Sequence, residues 1–137
     1  MKGSSPTITV SLGGRNIQAL LDSGADVSLI TDHLLQKIPR HAIINVDKRR
    51  IKFPHLKGVT GKKLKILSKV KISFFISTKN IIGEFFVLQN LKYPMLLGND
   101  QLRANKLMLD FATNTLSIQN IMVPFTQFEK TQEVLTL

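Results

Sequence analysis

The chain has 137 residues, of which 43% are hydrophobic, and its formal net charge is +10. This length suits one domain with its own core, and no apolar run is long enough to span a bilayer. The absence of cysteine excludes disulfides and thiolate metal sites, and the histidines lack the spacing of metal ligands. The N-terminal residues lack the apolar core of a signal peptide. We therefore expect a cytoplasmic protein with no metal, no cofactor and no membrane segment.

Much of the positive charge lies between Lys37 and Lys71, where Asp47 is the only acidic residue. Two interpretations are open: such a segment can bind nucleic acid through phosphate contacts, or it can be a solvated face. The lysines alternate with apolar residues, as from Lys63 to Leu67, which is the pattern of the outer face of a strand. The pattern favours the solvated face, with weak attraction to RNA or acidic partners as a by-product.

Strands dominate the predicted secondary structure. Alternation of apolar and polar residues with a period of two, rich in β-branched side chains, is typical of half-buried strands. This pattern, or a short apolar run, predicts strands over residues 7–12, 16–21, 27–30, 43–46, 50–53, 64–67, 70–76, 81–88, 95–97, 107–111, 115–118 and 121–125. Gly13 and Gly14 predict a hairpin turn between the first two strands. Gly58 and Gly61 predict a second hairpin tip that projects from the body.

Helical patterns are few and short. Thr31-Asp32 offers an N-cap for a helix over residues 33–38, which Pro39 ends. Residues 101–107 form the second predicted helix. The chain is therefore expected to be mostly β, with about one substantial helix.

The chain shows no internal repeat and no interior linker rich in Pro, Gly or Ser. Residues 127–137 are polar and weakly patterned, which is typical of a loose helix or a mobile tail. The sequence therefore predicts one domain over residues 1–125, followed by a C-terminal tail over residues 126–137.

The loop that begins at Asp22 contains the candidate catalytic residue. An apolar run delivers Asp22 into a Ser-Gly-Ala turn, and Gly24 permits a sharp bend directly after it. Carboxylates are rarely buried unless they are paired with another group or take part in the protein's function. Because apolar runs bracket the loop on both sides, Asp22 is a candidate catalytic residue. No second Asp-Ser-Gly or Asp-Thr-Gly follows an apolar strand elsewhere in the chain.

These features together resemble the retropepsins, the aspartic proteases of retroviruses and LTR retrotransposons. The resemblance covers residues 7–118 and rests on features that stand in the right order. They are the strand-turn-strand lead-in, the run Leu21-Asp22-Ser23-Gly24-Ala25-Asp26, the hairpin tip at residues 58–61, and Leu96-Leu97-Gly98-Asn99-Asp100 followed by a helix. The closing pattern Met-Leu-Asp-Phe at residues 108–111 is most similar to the gypsy-type retrotransposon branch.

The resemblance implies an all-β, single-domain retropepsin-like aspartic protease fold, with one short helix in the C-terminal half, that is active as a two-fold homodimer. The implied activity is hydrolysis of peptide bonds by a water between the Asp22 residues of two copies. The implied substrate is a retroelement Gag-Pol-like polyprotein, cut in the cytoplasm or within a virus-like particle. The implied catalytic residues are Asp22, Ser23 and Gly24. The implied substrate-binding residues are Ala25, Asp26, Gly58, Val59, Thr60 and Gly61, of which the last four form a flap.

Other roles are implied by position in the same way. The Ser23 hydroxyl would brace the two catalytic loops across the dimer axis, and Gly98 would let its own loop pack under the catalytic loop. Pockets lined by Ile30, Val59 and Leu97 are expected to favour apolar substrate side chains.

Two departures from the family pattern are Asn99 and a flap that is unusually basic, with Lys57, Lys62, Lys63 and Lys65 around its tip. The basic flap is open to two interpretations, a preference for acidic substrates or a solvated surface.

Asn99 and the terminal strands leave other functions open. Asn99 stands where many retroviral members have arginine, so the ion pair near Asp26 that supports their dimer is missing or replaced. The family's dimer is held largely by a sheet of terminal strands, and Pro124 limits residues 121–125 to an edge position there. A second interpretation is therefore a retropepsin-fold dimerisation or binding module that does not cut. The third is a basic nucleic-acid-binding domain, although the basic segment lacks an aromatic stacking pair.

Overall fold

The computed structural model describes residues 4–47 and 65–129. Within these ranges strands predominate. The strands are β1 (Ser4–Leu12), β2 (Arg15–Leu21), β3 (Leu29–Thr31), β4 (Ile43–Asp47), β5 (Ile66–Ile76), β6 (Lys79–Leu88), β7 (Met95–Leu97), β8 (Met108–Asp110), β9 (Thr115–Ile118), β10 (Ile121–Pro124) and β11 (Thr126–Glu129). The helices are α1 (Asp32–Lys37) and α2 (Asn99–Ala104), and a 3₁₀ turn spans Arg40–Ala42.

The strands form one large sheet and one small one. The large sheet has the order β11-β1-β2-β7-β3-β6-β5-β4, and the small sheet has the order β10-β9-β8. Strand β1 also pairs with β5, where Ser11 lies opposite Phe75, so the large sheet curls back on itself.

Strands β2 and β7 position residues 22–28, which contain the predicted catalytic residues and are called the catalytic loop for that reason. They run parallel, with Leu20 opposite Leu96 and Leu21 opposite Leu97. Parallel neighbours end at the same edge of a sheet, so the residues that follow them, Asp22 and Gly98, emerge side by side. The chain thus brings together two segments that lie more than 70 residues apart in sequence, as the Ser28–Asp100 contact shows.

The strands below this edge are buried on both faces. The ends of β2, β3 and β7 each consist of three consecutive buried residues. Alternate residues belong to different cores, because Leu21 and Leu97 pack in the main hydrophobic cluster while Leu20 and Leu96 pack in a second one. The second cluster contains Leu20, Leu29, Phe86, Leu88 and Leu96. Continuous apolar runs are expected of strands covered on both sides, and they give the loop a rigid base.

The lysines of β5 lie on the outer face of a strand, as their alternation with apolar residues predicts. Val70 and Ile72 are buried, whereas Lys71 is exposed and Lys69 is partly exposed. The Lys69 ammonium lies 3.5 Å from the Glu84 carboxylate and 5.6 Å from the centre of the Phe86 ring. In this described part of the basic segment, the solvated-face interpretation therefore fits the structure.

Most predicted elements are present within the described residues. The Gly13-Gly14 turn has positive φ at both residues, 59° and 82°, as two-residue hairpins require. The Thr31 hydroxyl caps α1 by accepting a hydrogen bond from the Leu34 N–H at 3.2 Å. Of the predicted pair Thr31-Asp32, Thr31 is therefore the N-cap and Asp32 is the first helical residue.

Three predictions of secondary structure are corrected. Residues 64–67 and 70–76 were predicted as separate strands, but β5 is continuous over residues 66–76, with a bulge between Ile66 and Ser68. The loose helix predicted from residue 127 is wrong for the first three residues, which belong to β11. The terminal strand that pairs with β1 is β11, whereas residues 121–124 pair with β9.

The physical reason for the β11 correction is long-range pairing. Thr126–Glu129 has no strong pattern of its own, but the free edge of β1 offers backbone partners that decide its conformation. The division into a domain over residues 1–125 and a tail stays a prediction. The strand predicted at residues 50–53 and the hairpin tip at residues 57–62 lie outside the described residues. No helix in the described ranges has the length and apolar character needed to cross a membrane.

Candidate active site

The catalytic loop begins where β2 ends, and its first residues fold into a tight turn. The Asp22 N–H continues the ladder between β2 and β7 by donating to the Leu97 carbonyl at 2.9 Å. The Gly24 N–H donates to Oδ1 of Asp22 at 2.9 Å, and the Ala25 N–H donates to the Asp22 carbonyl at 3.2 Å. The partly buried Asp22 carboxylate is therefore held by its own loop.

A partly buried polar network joins the far end of this loop to α2. The Ser28 side chain is fully buried at 0% exposure. Its hydroxyl donates to Oδ1 of Asp100 at 2.6 Å and accepts from the Gly98 N–H at 2.9 Å. Asp100 also accepts from the Ser28 N–H at 3.3 Å and from the Gln101 N–H at 2.7 Å. Each of these groups is thus paired, as buried polar groups must be.

Gly98 lies directly beneath the catalytic loop. A side-chain Cβ at this position would stand 2.8 Å from the Ala25 carbonyl oxygen and still closer to the Val27 carbonyl oxygen. Only glycine allows such an approach of two backbones. The role that the resemblance implied for Gly98, packing under the catalytic loop, therefore agrees with the geometry.

Asn99 holds the catalytic loop at two points. Its side-chain Nδ2 donates to the Ser23 carbonyl at 2.5 Å, and its main-chain N–H donates to the Ala25 carbonyl at 2.7 Å. From the sequence this residue was only a departure from the family pattern. In the structure it links the first residue of α2 to the Ser23 and Ala25 carbonyls of the loop.

The family model for the retroviral aspartyl protease matches residues 2–110. The chain belongs to the retroviral aspartyl protease family. The predicted resemblance to the retropepsins is therefore confirmed. The assignment to the gypsy-type branch stays a prediction.

Relatives in this family support the fold. The protein DDI1 homolog of Leishmania major is 24% identical over 110 residues, which are 80% of this chain and 27% of that protein. The chain thus spans little more than a quarter of that relative.

Solved structures give the same result. The retroviral protease-like domain of Ddi1 from Leishmania major matches with a TM-score of 0.74 at 23% identity, over 90% of this chain and 95% of that one. The EIAV protease, solved with an inhibitor, matches with a TM-score of 0.57 at 20% identity, over 78% and 93% of the two chains. These likenesses confirm the predicted retropepsin-like fold.

The predicted site residues 22–26 lie together in one loop. Asp22, Ser23, Gly24, Ala25 and Asp26 follow one another at the carboxyl end of β2, where Ser23, Gly24 and Asp26 are exposed. The predicted flap residues Gly58, Val59, Thr60 and Gly61 lie outside the described residues. No group of three or more His, Cys, Asp or Glu in the described ranges is arranged to hold a metal ion.

The predicted pocket residues are corrected. Ile30 and Leu97 are both 0% exposed and belong to the main hydrophobic cluster, so they do not line a substrate pocket. The error arises because a short apolar run does not reveal which of its residues face the core. Val59 lies outside the described residues.

Ser28 and Asp100 were not predicted as part of the site. A serine between Val27 and Leu29 was the available signal, because a polar residue in a buried strand needs a partner. The partner stands 72 positions further along the chain, and no local pattern connects the two.

Replacing Ser28 with alanine should destabilise the protein by about 2 kcal/mol, because the Gly98 N–H and the Asp100 carboxylate each lose a partner. Urea unfolding followed by circular dichroism measures the change. Ser73→Ala is the matched control, since its hydroxyl also bonds a side chain, Oδ1 of Asn80 at 3.0 Å, but at an exposed position. If Ser73→Ala lowers the free energy of unfolding as much as Ser28→Ala does, the network around Ser28 stabilises the protein no more than an exposed hydrogen bond.

Proposed function

We propose that the chain is one half of an aspartic endopeptidase, which hydrolyses peptide bonds when two copies join. The observation that supports this proposal is the position of the Asp22 carboxylate in its loop. That carboxylate stands at the end of a strand buried on both faces, where the Gly24 N–H donates to Oδ1. A rigid base and a fixed donor are what a catalytic carboxylate needs to keep its position.

The proposed mechanism uses the two Asp22 residues of a homodimer. Two carboxylates a few ångströms apart share one proton, because both cannot easily be ionised together. The ionised one takes a proton from the attacking water, and the protonated one donates a hydrogen bond to the scissile carbonyl and stabilises its developing negative charge.

A second copy is needed because the sequence holds one loop of this kind. A closed two-fold dimer brings the same surface of each copy together. Ser23 and Gly24 are exposed in a single chain, so the loop is accessible to such a partner. In the dimer the Ser23 hydroxyls would brace the two loops.

The proposed substrate is a retroelement Gag-Pol-like polyprotein, cut at sites with apolar side chains around the scissile bond. The proposed setting is the cytoplasm or a virus-like particle. Weak attraction to nucleic acid is a further expectation from the net charge of +10, and it should fall steeply with salt.

A second candidate function is a dimerisation or binding module that does not cut. The observation that favours it is the departure at position 99, where asparagine stands in place of the arginine whose ion pair supports the dimer of many retroviral members. Such a module would form stable dimers and would leave every peptide in a library intact.

A cleavage assay separates the two functions. The purified chain should cleave peptides with apolar residues around one bond at mildly acidic pH, and a pepstatin-like inhibitor should stop the reaction. Sedimentation with and without the inhibitor measures dimerisation in the same samples. A stable dimer that binds no inhibitor and cuts no peptide would reject the endopeptidase and favour the binding module.

A further inference from the structure

We infer that Asn99 is a positioning residue for the catalytic carboxylate, and that it acts through the Ser23–Gly24 peptide group. This inference deepens the proposed function and rests on it. It starts from the two hydrogen bonds that meet at one peptide unit. Nδ2 of Asn99 donates to the Ser23 carbonyl, and the Gly24 N–H donates to Oδ1 of Asp22.

The two bonds are coupled because a peptide group is planar. The Ser23 carbonyl and the Gly24 N–H belong to the same trans unit, so they point in opposite directions and turn together. A donor that fixes the carbonyl therefore fixes the direction of the N–H. In this way Asn99 aims the Gly24 N–H at the Asp22 carboxylate without touching that carboxylate itself.

The rest of the loop depends on the same residue. The main-chain N–H of Asn99 donates to the Ala25 carbonyl at 2.7 Å, so one residue holds two alternate carbonyls of the turn. Gly98 lets Asn99 come close to the loop, because Gly98 packs against the backbone of the loop with no side chain between them.

All of these contacts lie within one chain. Asn99 therefore shapes the loop of each copy before the copies meet. Since Ser23 and Gly24 are exposed, the turn has little packing of its own to preserve its conformation. The hydrogen bonds from α2 supply that order instead.

Two substitutions remove the side-chain donor and keep the main-chain one. Asn99→Asp keeps the size of the side chain but places a carboxylate oxygen against the Ser23 carbonyl, and Asn99→Ala removes the side-chain amide altogether. In both variants we expect kcat for peptide cleavage to fall about tenfold, with KM changed less than about twofold, because a misplaced group weakens catalysis more than binding.

Asn105→Ala is the matched control. Asn105 stands at the other end of α2, and its Nδ2 also donates to a main-chain carbonyl, that of Gln101 at 3.0 Å. Its loss should lower the stability of α2 as much as the Asn99 variants do and leave kcat unchanged. Equal losses of kcat in the two sets of variants, or no loss in the Asn99 variants, would overturn the inference.

An amide measurement keeps the test independent of catalysis. Hydrogen exchange of the Gly24 amide, followed by NMR, should become about tenfold faster in the Asn99 variants because its acceptor is no longer aligned. The Asn105→Ala protein should show the wild-type rate. If the wild-type chain cuts no peptide, the proposed function fails, yet this exchange still supports or overturns the role of Asn99. Unchanged exchange at Gly24 in both Asn99 variants would overturn it.

Discussion

Asp22→Asn should abolish peptide cleavage, with a fall in kcat of at least about a thousandfold, because the variant has no carboxylate to take a proton from water. The amide keeps an oxygen at Oδ1, so it still accepts the Gly24 N–H that holds the turn. The fold and the dimer should therefore remain. Cleavage of a fluorogenic peptide measures kcat, and circular dichroism and sedimentation confirm that the variant is folded and associated.

Asp110→Asn is the matched control for this change. Its Oδ1 accepts the N–H of Ala112, two residues further on, at 2.9 Å, as Asp22 does with Gly24. The two substitutions thus make the same chemical change in the same kind of turn, one in the catalytic loop and one on β8. The control should keep wild-type kcat. If the two variants retain similar activity, Asp22 is not the catalytic group.

Gly98→Ala should destabilise the protein by about 3 kcal/mol, at the upper end of the usual cost of overpacking. The backbone at Gly98, with φ of −93°, is one that alanine adopts freely, so conformation is not the obstacle. The obstacle is space, because the added Cβ meets the carbonyl oxygens of Val27 and Ala25. These are backbone atoms, which cannot rotate away as a flexible side chain can.

Gly14→Ala separates space from conformation. Gly14 has a φ of +82° and nothing within 4 Å of the added Cβ, so its cost should come from the left-handed backbone alone, about 1 kcal/mol. Urea unfolding of both variants compares the two costs. A Gly98→Ala protein as stable as Gly14→Ala would mean that the two backbones do not pack as closely as described. Cleavage should also fall in the Gly98 variant, since Asp22 moves with its loop.

The sequence predicted what local patterns determine. Alternating residues predicted the first two strands, and Gly13 and Gly14 predicted the turn between them. Thr31-Asp32 predicted the start of α1. The turn at Asp22 was predicted for the same reason, because the carboxylate, the glycine and the flanking apolar runs are all adjacent in the chain; its catalytic role stays a prediction. Gly98 was found through the family pattern that contains it.

The sequence did not predict what long-range pairing determines. Strand β11 takes its conformation from pairing with the edge of β1. In this pairing Thr7 lies opposite Thr126, which is more than 100 positions further along the chain. Ser28 finds its partner in Asp100, and Asn99 finds one in Ser23, only once β2 and β7 lie side by side. Ile30 and Leu97 were placed in a pocket because a three-residue strand does not reveal that both of its faces are covered.

Each chain is proposed to carry half of an active site, and an experiment that mixes wild-type and Asp22→Asn chains tests this directly. Wild-type and Asp22→Asn chains are combined in equal amounts at constant total concentration, left to exchange, and assayed for peptide cleavage. If each site needs two intact Asp22 residues, activity should be about a quarter of that of the wild type alone, the share of dimers with two wild-type chains. Activity of about half would show that each chain works by itself, and would contradict an active site shared by two Asp22 residues.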